Sequence, residues 1–192
     1  MRYSETHKSE TRARIVKNAA TAFRKHGVGG IGVAALMKKA GLTHGGFYAH
    51  FDSKDALVAE AIDAAFEQSL KSLADTVELQ EPSARRELLM KRYLSEAHRD
   101  APANGCVFAA IGSEAARMKP ALRGRFDANF ENMIGLLTQG SDGPQQRAAA
   151  IGRYTAAIGA IVVARAVRSR ALADEILAAA RSYAKADDGG KP

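Results

Sequence analysis

The sequence has no tryptophan, a single cysteine at position 106 and only five prolines in 192 residues. One cysteine excludes an internal disulfide framework and any multi-cysteine metal site. With so few prolines and so much alanine and leucine, little in the chain opposes helix. Apolar runs are short, and none approaches the ~20 residues of a membrane-spanning helix. The opening residues Met1-Arg2-Tyr3-Ser4-Glu5-Thr6-His7-Lys8 contain no apolar signal region, so a cytoplasmic protein without a membrane partner is expected. A glycine-rich phosphate loop and zinc-type His/Cys spacing are missing too. No metal, cofactor or catalytic site is expected. His98, Cys106 and Glu114 are the only grouping that suggests nucleophilic chemistry, and nothing in the sequence brings them together. An enzyme is therefore not the expected class.

What the chain does have is a lopsided charge. The formal net charge is +7. Residues 1–55 hold ten Lys/Arg against four Asp/Glu, and four of the five histidines; residues 56–192 hold eighteen against seventeen. A basic end on a near-neutral body points to a polyanion partner at that end. A solvated basic face kept for solubility is the bland alternative.

Hydrophobic residues make up 46% of the chain, enough for a sizeable core, and their spacing predicts helix throughout, about nine helices and no strand. The stripe Ile15, Val16, Ala19, Ala20 and Phe23 marks a first helix from about Ser9 to His26, ended by Gly27. Residues 1–8 read as a mobile polar arm. Val33 to Ala40 is a short second helix, with Leu36 and Met37 inward. Leu57 to Leu73 carries a long helix to about Val77, started by Ser53 or Asp52. Pro82 opens a helix to about Asp100. A short helix follows from Cys106 to about Met118, then 121–139, then Pro144 to about Val167 after a loop at 140–143. A last helix runs from about Asp174 to Ala186, and 187–192 is expected to fray.

The most telling stretch is Leu42-Thr43-His44-Gly45-Gly46-Phe47-Tyr48-Ala49-His50-Phe51-Asp52-Ser53-Lys54. Thr43 is suited to cap a short helix. Phe47 and Phe51, four apart, share its buried face, which leaves Thr43, His44, Gly45, Tyr48 and His50 at or near the outer one. Gly45-Gly46 costs helix stability and lets something bulky approach the backbone. Short helix, Gly41 turn, second short helix is the pattern of a helix-turn-helix.

On these residues the segment from Ile15 to Leu57 resembles the DNA-binding end of TetR/AcrR-type transcriptional regulators. The residues that carry the resemblance are Ile15-Val16, Ala19-Ala20, Phe23, Gly27, Ala40-Gly41-Leu42-Thr43, Phe47-Tyr48-Ala49-His50-Phe51 and Ser53-Lys54-Asp55-Ala56-Leu57. Gly32 departs from the pattern, standing where Thr or Ser usually caps the second helix. The resemblance implies an all-α chain. Residues 1–54 would form a three-helix DNA-binding domain, and residues 55–192 a helical domain that dimerises and binds a small effector. It implies a homodimeric regulator of palindromic double-stranded DNA, expected to be a repressor. An activator of the same family, or a helical ligand-binding protein that no longer reads DNA, is the alternative.

The candidate DNA contacts are Lys38, Thr43, His44, Gly45, Gly46, Tyr48, His50 and Lys54. Tyr48 could instead fill space beside Phe47. Lys54 stands at a helix N-terminus, which attracts phosphate. Candidate effector contacts are Tyr93, His98, Cys106, Phe108 and Ile111. A lone cysteine is usually a small buried hydrophobe, but Cys106 follows Gly105 at a helix start, where thiols are activated. Gly105-Cys106-Val107 with Ser113-Glu114 looks like a subset of TetR-type regulators, some of which sense electrophiles or oxidants through this cysteine. The candidate dimer stripe is Tyr154, Ile158, Ile161, Val162 and Ile176, with Ala156, Ala157, Gly159 and Ala160 permitting close helix approach. Ordinary core packing within one chain is the competing reading of that stripe.

Overall fold

The structure, a computed structural model, describes residues 5–78, 82–138 and 143–185. These residues form nine α-helices and two short 3₁₀ helices, with no strand among them. The chain is all-α.

Helix α1 spans Glu5–His26 and buries Ile15, Ala19, Ala20 and Phe23, the stripe read from the sequence. It begins at Glu5, so part of the expected polar arm is helical; the rest lies outside the described residues. Arg24-Lys25-His26 sit at its negative end. Gly27 closes it at φ +77, a backbone conformation that other residues reach only with strain. Helix α2 is Val33–Lys39, started by the extended Gly32. Gly41, at φ +74, turns the chain, and Leu42 N–H returns to Met37 O at 2.9 Å.

The next element is not the α-helix that the spacing suggests but a 3₁₀ helix at His44–Ala49. Gly46 N–H reaches back three residues to Thr43 O at 3.1 Å, and His50 N–H to Phe47 O at 2.9 Å. Two adjacent glycines weaken an α-turn, and the tighter 3₁₀ geometry is the usual outcome in so short a piece. Thr43 holds the extended cap conformation, but its hydroxyl makes no capping bond.

Helix α3, Lys54–Val77, starts where Ser53 Oγ accepts from Ala56 N–H at 3.1 Å. The expected single helix over 82–100 is two, α4 at Pro82–Tyr93 and α5 at Glu96–Asp100. Ser95 explains the break, because its hydroxyl accepts from His98 N–H at 3.2 Å and starts a new helix. A 3₁₀ turn at Pro102–Asn104 leads to α6, Val107–Ala115, capped by Cys106. Helices α7, Pro120–Thr138, and α8, Pro144–Ala166, follow. Helix α9, Arg170–Lys185, begins four residues before the sequence suggests, because Ser169 Oγ accepts from Leu172 N–H at 3.2 Å. The loop at 140–143 and the expected fraying after 186 fall almost wholly outside the described residues.

The core has two clusters. The first gathers Ile15, Phe23, Leu36, Met37, Phe47, Phe51, Leu57 and Ile62 with Val107, Ile111, Leu122 and Phe126 from far along the chain. The second holds Leu89, Tyr93, Leu94, Met133, Ile134, Tyr154, Ile161 and Leu177. Helix α3 contributes Leu57 to Phe66 to the first and packs Leu70 and Leu73 on the second. Phe108 touches both. Each fully buried Phe or Leu contributes roughly 1.5–3 kcal/mol, so Val107, Ile111, Leu122 and Phe126 tie α6 and α7 to the same interior as the N-terminal helices.

Helix α8 is long and apolar enough, by length and composition alone, to cross a membrane. It packs instead as a bundle helix, with Ala150, Arg153, Tyr154, Ala157, Ile161 and Ala164 turned inward.

Candidate nucleic-acid interface and interior cavity

The interface is built outward from two rings. Phe47 and Phe51 stack with centroids 5.6 Å apart, buried to 1% and 2%. With that face committed, Tyr48 must point away, and it is 70% exposed, edge-on to Phe47 at 5.3 Å. Thr43, His44 and Gly45 are exposed beside it, Gly46 is half-buried, and Lys38 and Lys39 extend the surface from α2. The candidates Lys38, Thr43, His44, Gly45 and Tyr48 thus share an exposed, basic patch.

Two candidates are placed differently. Lys54 Nζ is turned back into the protein and donates to Val28 O at 3.0 Å and Ile31 O at 3.3 Å. It ties the start of α3 to the loop that precedes α2. His50 is half-buried, with Nδ1 enclosed and unpartnered. Burial first, then the charges of Lys8 and Arg12, lower its pKa and favour the neutral ring. Arg12 was not singled out from the sequence, yet it organises this corner. Its guanidinium donates to His50 O, pairs with Glu60 and lies 4.2 Å from the Phe51 ring centre.

Beneath the first cluster, α3, α4, α5, the 102–107 segment, α7 and α8 enclose a cavity of about 320 Å³. Of the candidate effector contacts, Tyr93, His98 and Cys106 line it; Phe108 and Ile111 do not. Ile111 is 1% exposed in the first core cluster, and Phe108 fills the space between Phe66, Phe126, Phe130 and Tyr154. On the helical wheel they share the apolar face of α6 with Val107, but neighbouring rings from α3 and α7 reach them first. Tyr154, expected at a dimer surface, is 2% exposed and lines the cavity. Its hydroxyl lies 3.5 Å from Cys106 Sγ.

His98 is fully occupied by backbone. Nδ1 faces Tyr93 O at 2.7 Å, and Nε2 accepts from Cys106 N–H at 2.9 Å. Burial, aided by the nearby charges of Arg165 and Arg92, lowers its pKa to about 4. The neutral ring therefore locks the start of α6 and has no free nitrogen for the thiol. Glu114 lies at the other end of α6, where its carboxylate accepts from Val28 N–H at 3.0 Å and Gly29 N–H at 3.2 Å. The His98, Cys106 and Glu114 grouping is thus not assembled. Among the described residues no His/Cys/Asp/Glu cluster is arranged to hold a metal.

Residues 15–61 match the sequence model of bacterial regulatory proteins of the tetR family. That segment is similar to the TetR-family DNA-binding domain. Curated relatives match about a third of the chain. The uncharacterized HTH-type transcriptional regulator YdgC of Bacillus subtilis is 37% identical over 71 residues, 37% of this chain and 36% of YdgC. The HTH-type transcriptional regulator TtgR of Pseudomonas putida is 37% identical over 67 residues, 35% of this chain and 32% of TtgR. These matches span about a third of the relatives' length. The likeness in fold extends further. A TetR transcriptional regulator from Chloroflexus aurantiacus superposes with a TM-score of 0.77 at 24% identity, over 92% of this chain and 94% of that one. The reduced form of E. coli NemR gives 0.75 at 20% identity, over 92% and 95%.

The candidate dimer stripe divides. Tyr154 and Ile161 face the protomer's own core, Ile158 and Ile176 are half-buried, and Val162 is exposed. The outer face of α8 consists of Gly152, Thr155, Ala156, Gly159, Val162 and Val163, and Leu172 and Tyr183 continue it on α9. The sequence reading combined the bulky stripe with the small residues Ala156, Ala157, Gly159 and Ala160; of these Ala156 and Gly159 are exposed, Ala160 is half-buried and Ala157 is buried.

Between the two sites stands a residue that sequence reasoning passed over. Arg24 is 3% exposed; its guanidinium donates to Ala20 O, Ala65 O, Gly105 O and Gln68 Oε1. Ser69 Oγ bonds the same Gly105 carbonyl at 3.1 Å. Position 24 read as a helix-terminal charge, and only the approach of residue 105 from far along the chain reveals its role.

Proposed function

We propose that this protein is a DNA-binding transcriptional repressor that works as a cytoplasmic homodimer on a palindromic operator and is released by a small-molecule effector. Residues 1–54 read the DNA, and residues 55–192 dimerise and hold the effector. The observation that carries this reading is the exposed patch of Thr43, His44, Gly45 and Tyr48, backed by the buried Phe47–Phe51 pair and flanked by Lys38 and Lys39. A tyrosine hydroxyl, threonine, histidine and lysines on one convex turn are donors suited to phosphate and base edges, and the glycines keep the backbone open to close approach.

One such turn offers few base contacts. Two copies spaced by about 34–36 Å meet successive major-groove faces of a palindrome. The effector acts through the walls of the cavity. Residues 105–107 form one wall, and Gly105 is held to α1 by Arg24 and to α3 by Ser69. A ligand that binds one arrangement of these helices more tightly shifts the spacing of the two reading heads and weakens the complex by the same coupling free energy.

The test is a mobility-shift titration of the purified chain against its own upstream DNA at two salt concentrations. Saturable binding that weakens steeply with salt and is lost on scrambling one half-site supports the reading. Binding that ignores sequence, or none, overturns it. Transcription that falls when the gene is deleted marks an activator instead.

A further inference from the structure

One hydroxyl in the cavity wall has nothing to bond. Tyr93 ends α4 with its ring edge-on to His98 at 4.6 Å and to Tyr154 at 5.9 Å. The residue is 3% exposed, and its hydroxyl has no hydrogen-bond partner. Its polar neighbours offer little: the Cys106 thiol, a weak acceptor, lies beside both Tyr93 and Tyr154, and both His98 nitrogens are held by backbone. Burying a hydroxyl without a partner is costly, so the position suits an acceptor brought from outside. Burial and the adjacent Cys106 and Tyr154 raise the phenol pKa well above its ordinary value. The group is therefore a donor, and its complement is an acceptor.

The charge around the cavity selects further. Among the residues that line it there is no Asp or Glu. Arg92 stands at the wall with Nη2 on Ser72 Oγ at 2.8 Å. Arg165 donates to His98 O and Arg99 O behind it. A cation would meet no counter-charge and two arginines. An anion would meet one cation at the wall, Arg92, which is solvent-exposed and already bonded to Ser72, so that contact returns less than the hydration an anion would lose. The rest of the wall is apolar at Phe66, Leu70, Leu73, Val107 and Met133, with uncharged polar groups at Ser69, Ser72, Ser95, Asn104 and Asn129. A volume of about 320 Å³ lies at the small end of ligand pockets and suits roughly 10–15 non-hydrogen atoms.

We propose that the cavity takes an uncharged, ring-sized molecule whose oxygen acceptor, of carbonyl type, docks on the Tyr93 hydroxyl while its rings pack against Phe66, Leu70 and Met133. This rests on reading the cavity as the effector site, and it fixes the chemical class of the effector.

The test uses four probes of one shape on the full chain, by isothermal titration: 1-acetonaphthone, 1-ethylnaphthalene, 1-naphthylmethylammonium and 1-naphthoate. The ketone binds about tenfold more tightly than the hydrocarbon, as one recovered hydrogen bond requires, and the two ions bind more weakly than either. Tyr93→Phe abolishes the preference for the ketone and melts no lower than the unliganded parent, because it removes an unsatisfied group. The carbonyl stretch of bound ketone is red-shifted by a hydrogen bond in the parent chain, a readout that needs no variant. Equal affinity for ketone and hydrocarbon, an unshifted stretch, an ion that binds as tightly as the ketone, or failure of all four probes overturns the proposal. DNA affinity is read separately. A ketone that binds through Tyr93 but leaves the DNA complex unchanged removes the effector reading and keeps the ligand class; DNA release by the ammonium probe does the reverse.

Discussion

At the scale of single residues, position along a motif and direction of the side chain are different things. Tyr48 and Lys54 look equivalent in the sequence, since both belong to the stretch proposed to meet DNA. Tyr48 is directed outward because Phe47 and Phe51 fill the only buried face. Tyr48→Phe therefore leaves the melting temperature unchanged and weakens operator binding about three- to tenfold, the worth of one hydrogen bond; a shift titration with a parallel melt checks both. Lys54 instead donates to two loop carbonyls. Lys54→Ala lowers stability by about 1–2 kcal/mol, while the slope of log affinity against log salt stays that of the parent. A slope reduced by about one would mean that the amine reaches a phosphate after all. His98 gives the chain a pH signature. Its folded pKa of about 4 lies below the ordinary 6.5, so the unfolded chain takes up the proton first. Its stabilising contribution is complete above pH 6.5 and drains away as pH falls from 6.5 towards 4, at most about 3 kcal/mol. Urea midpoints measured across that window fall for the parent, and the His98→Gln variant shows a correspondingly shallower fall.

At the scale of elements, the helices legible from apolar spacing are those whose packing is local. The first helix, the long α3 and the small α2 stand close to where their stripes place them. The departures trace to hydroxyls and glycines. Ser95 and Ser169 open helices that periodicity alone runs through or starts late, and Gly45-Gly46 turn an expected α-helix into a 3₁₀ turn. Helix α6 shows what pattern cannot reveal. One end is pinned by His98 at the cavity, and the other grips Val28 and Gly29 through Glu114, directly before α2. It joins the cavity wall to the loop after α1, and so the two candidate sites. Glu114→Ala keeps titratable binding at the cavity and keeps the operator complex, yet reduces the factor by which a bound ligand weakens that complex. An undiminished factor would place the coupling on another element, α3 being the next in contact with both. Gly27→Ala disrupts the same joint from the other side. It forces a side chain into positive φ and into the Glu114 carboxylate, and a cost of at least about 1–2 kcal/mol is expected from the backbone alone.

At the scale of the whole molecule, the fold class and the helix-turn-helix-type N-terminal segment were legible, because each rests on local spacing or on a long motif in register. The apolar faces of α6 and α8 were harder to assign. A core-facing stripe and a partner-facing stripe share one period, and only the neighbours decide; Tyr154 and Ile161 turned inward, and the small-residue face of α8 turned out. Val163, 48% exposed, belongs to that outer face. Val163→Glu should fold normally yet scatter light as a single 20.4 kDa chain where the parent scatters as two. Ile161→Arg should fail to fold, since that side chain is fully buried within one protomer. A Val163→Glu protein that remains a dimer would move the interface off this face.

The first core cluster also bears on how such a regulator can be recombined. A chimera cut at residue 54, between motif and body, would sever Phe23, Leu36 and Phe47 from Val107, Ile111, Leu122 and Phe126, residues that share one interior. It would also leave the Arg24 guanidinium without its acceptors on residues 65, 68 and 105. Exchange of reading heads between paralogues is therefore expected to succeed only when the graft carries its matching α6 and α7 contacts, and gene shuffling in this lineage should leave that seam intact.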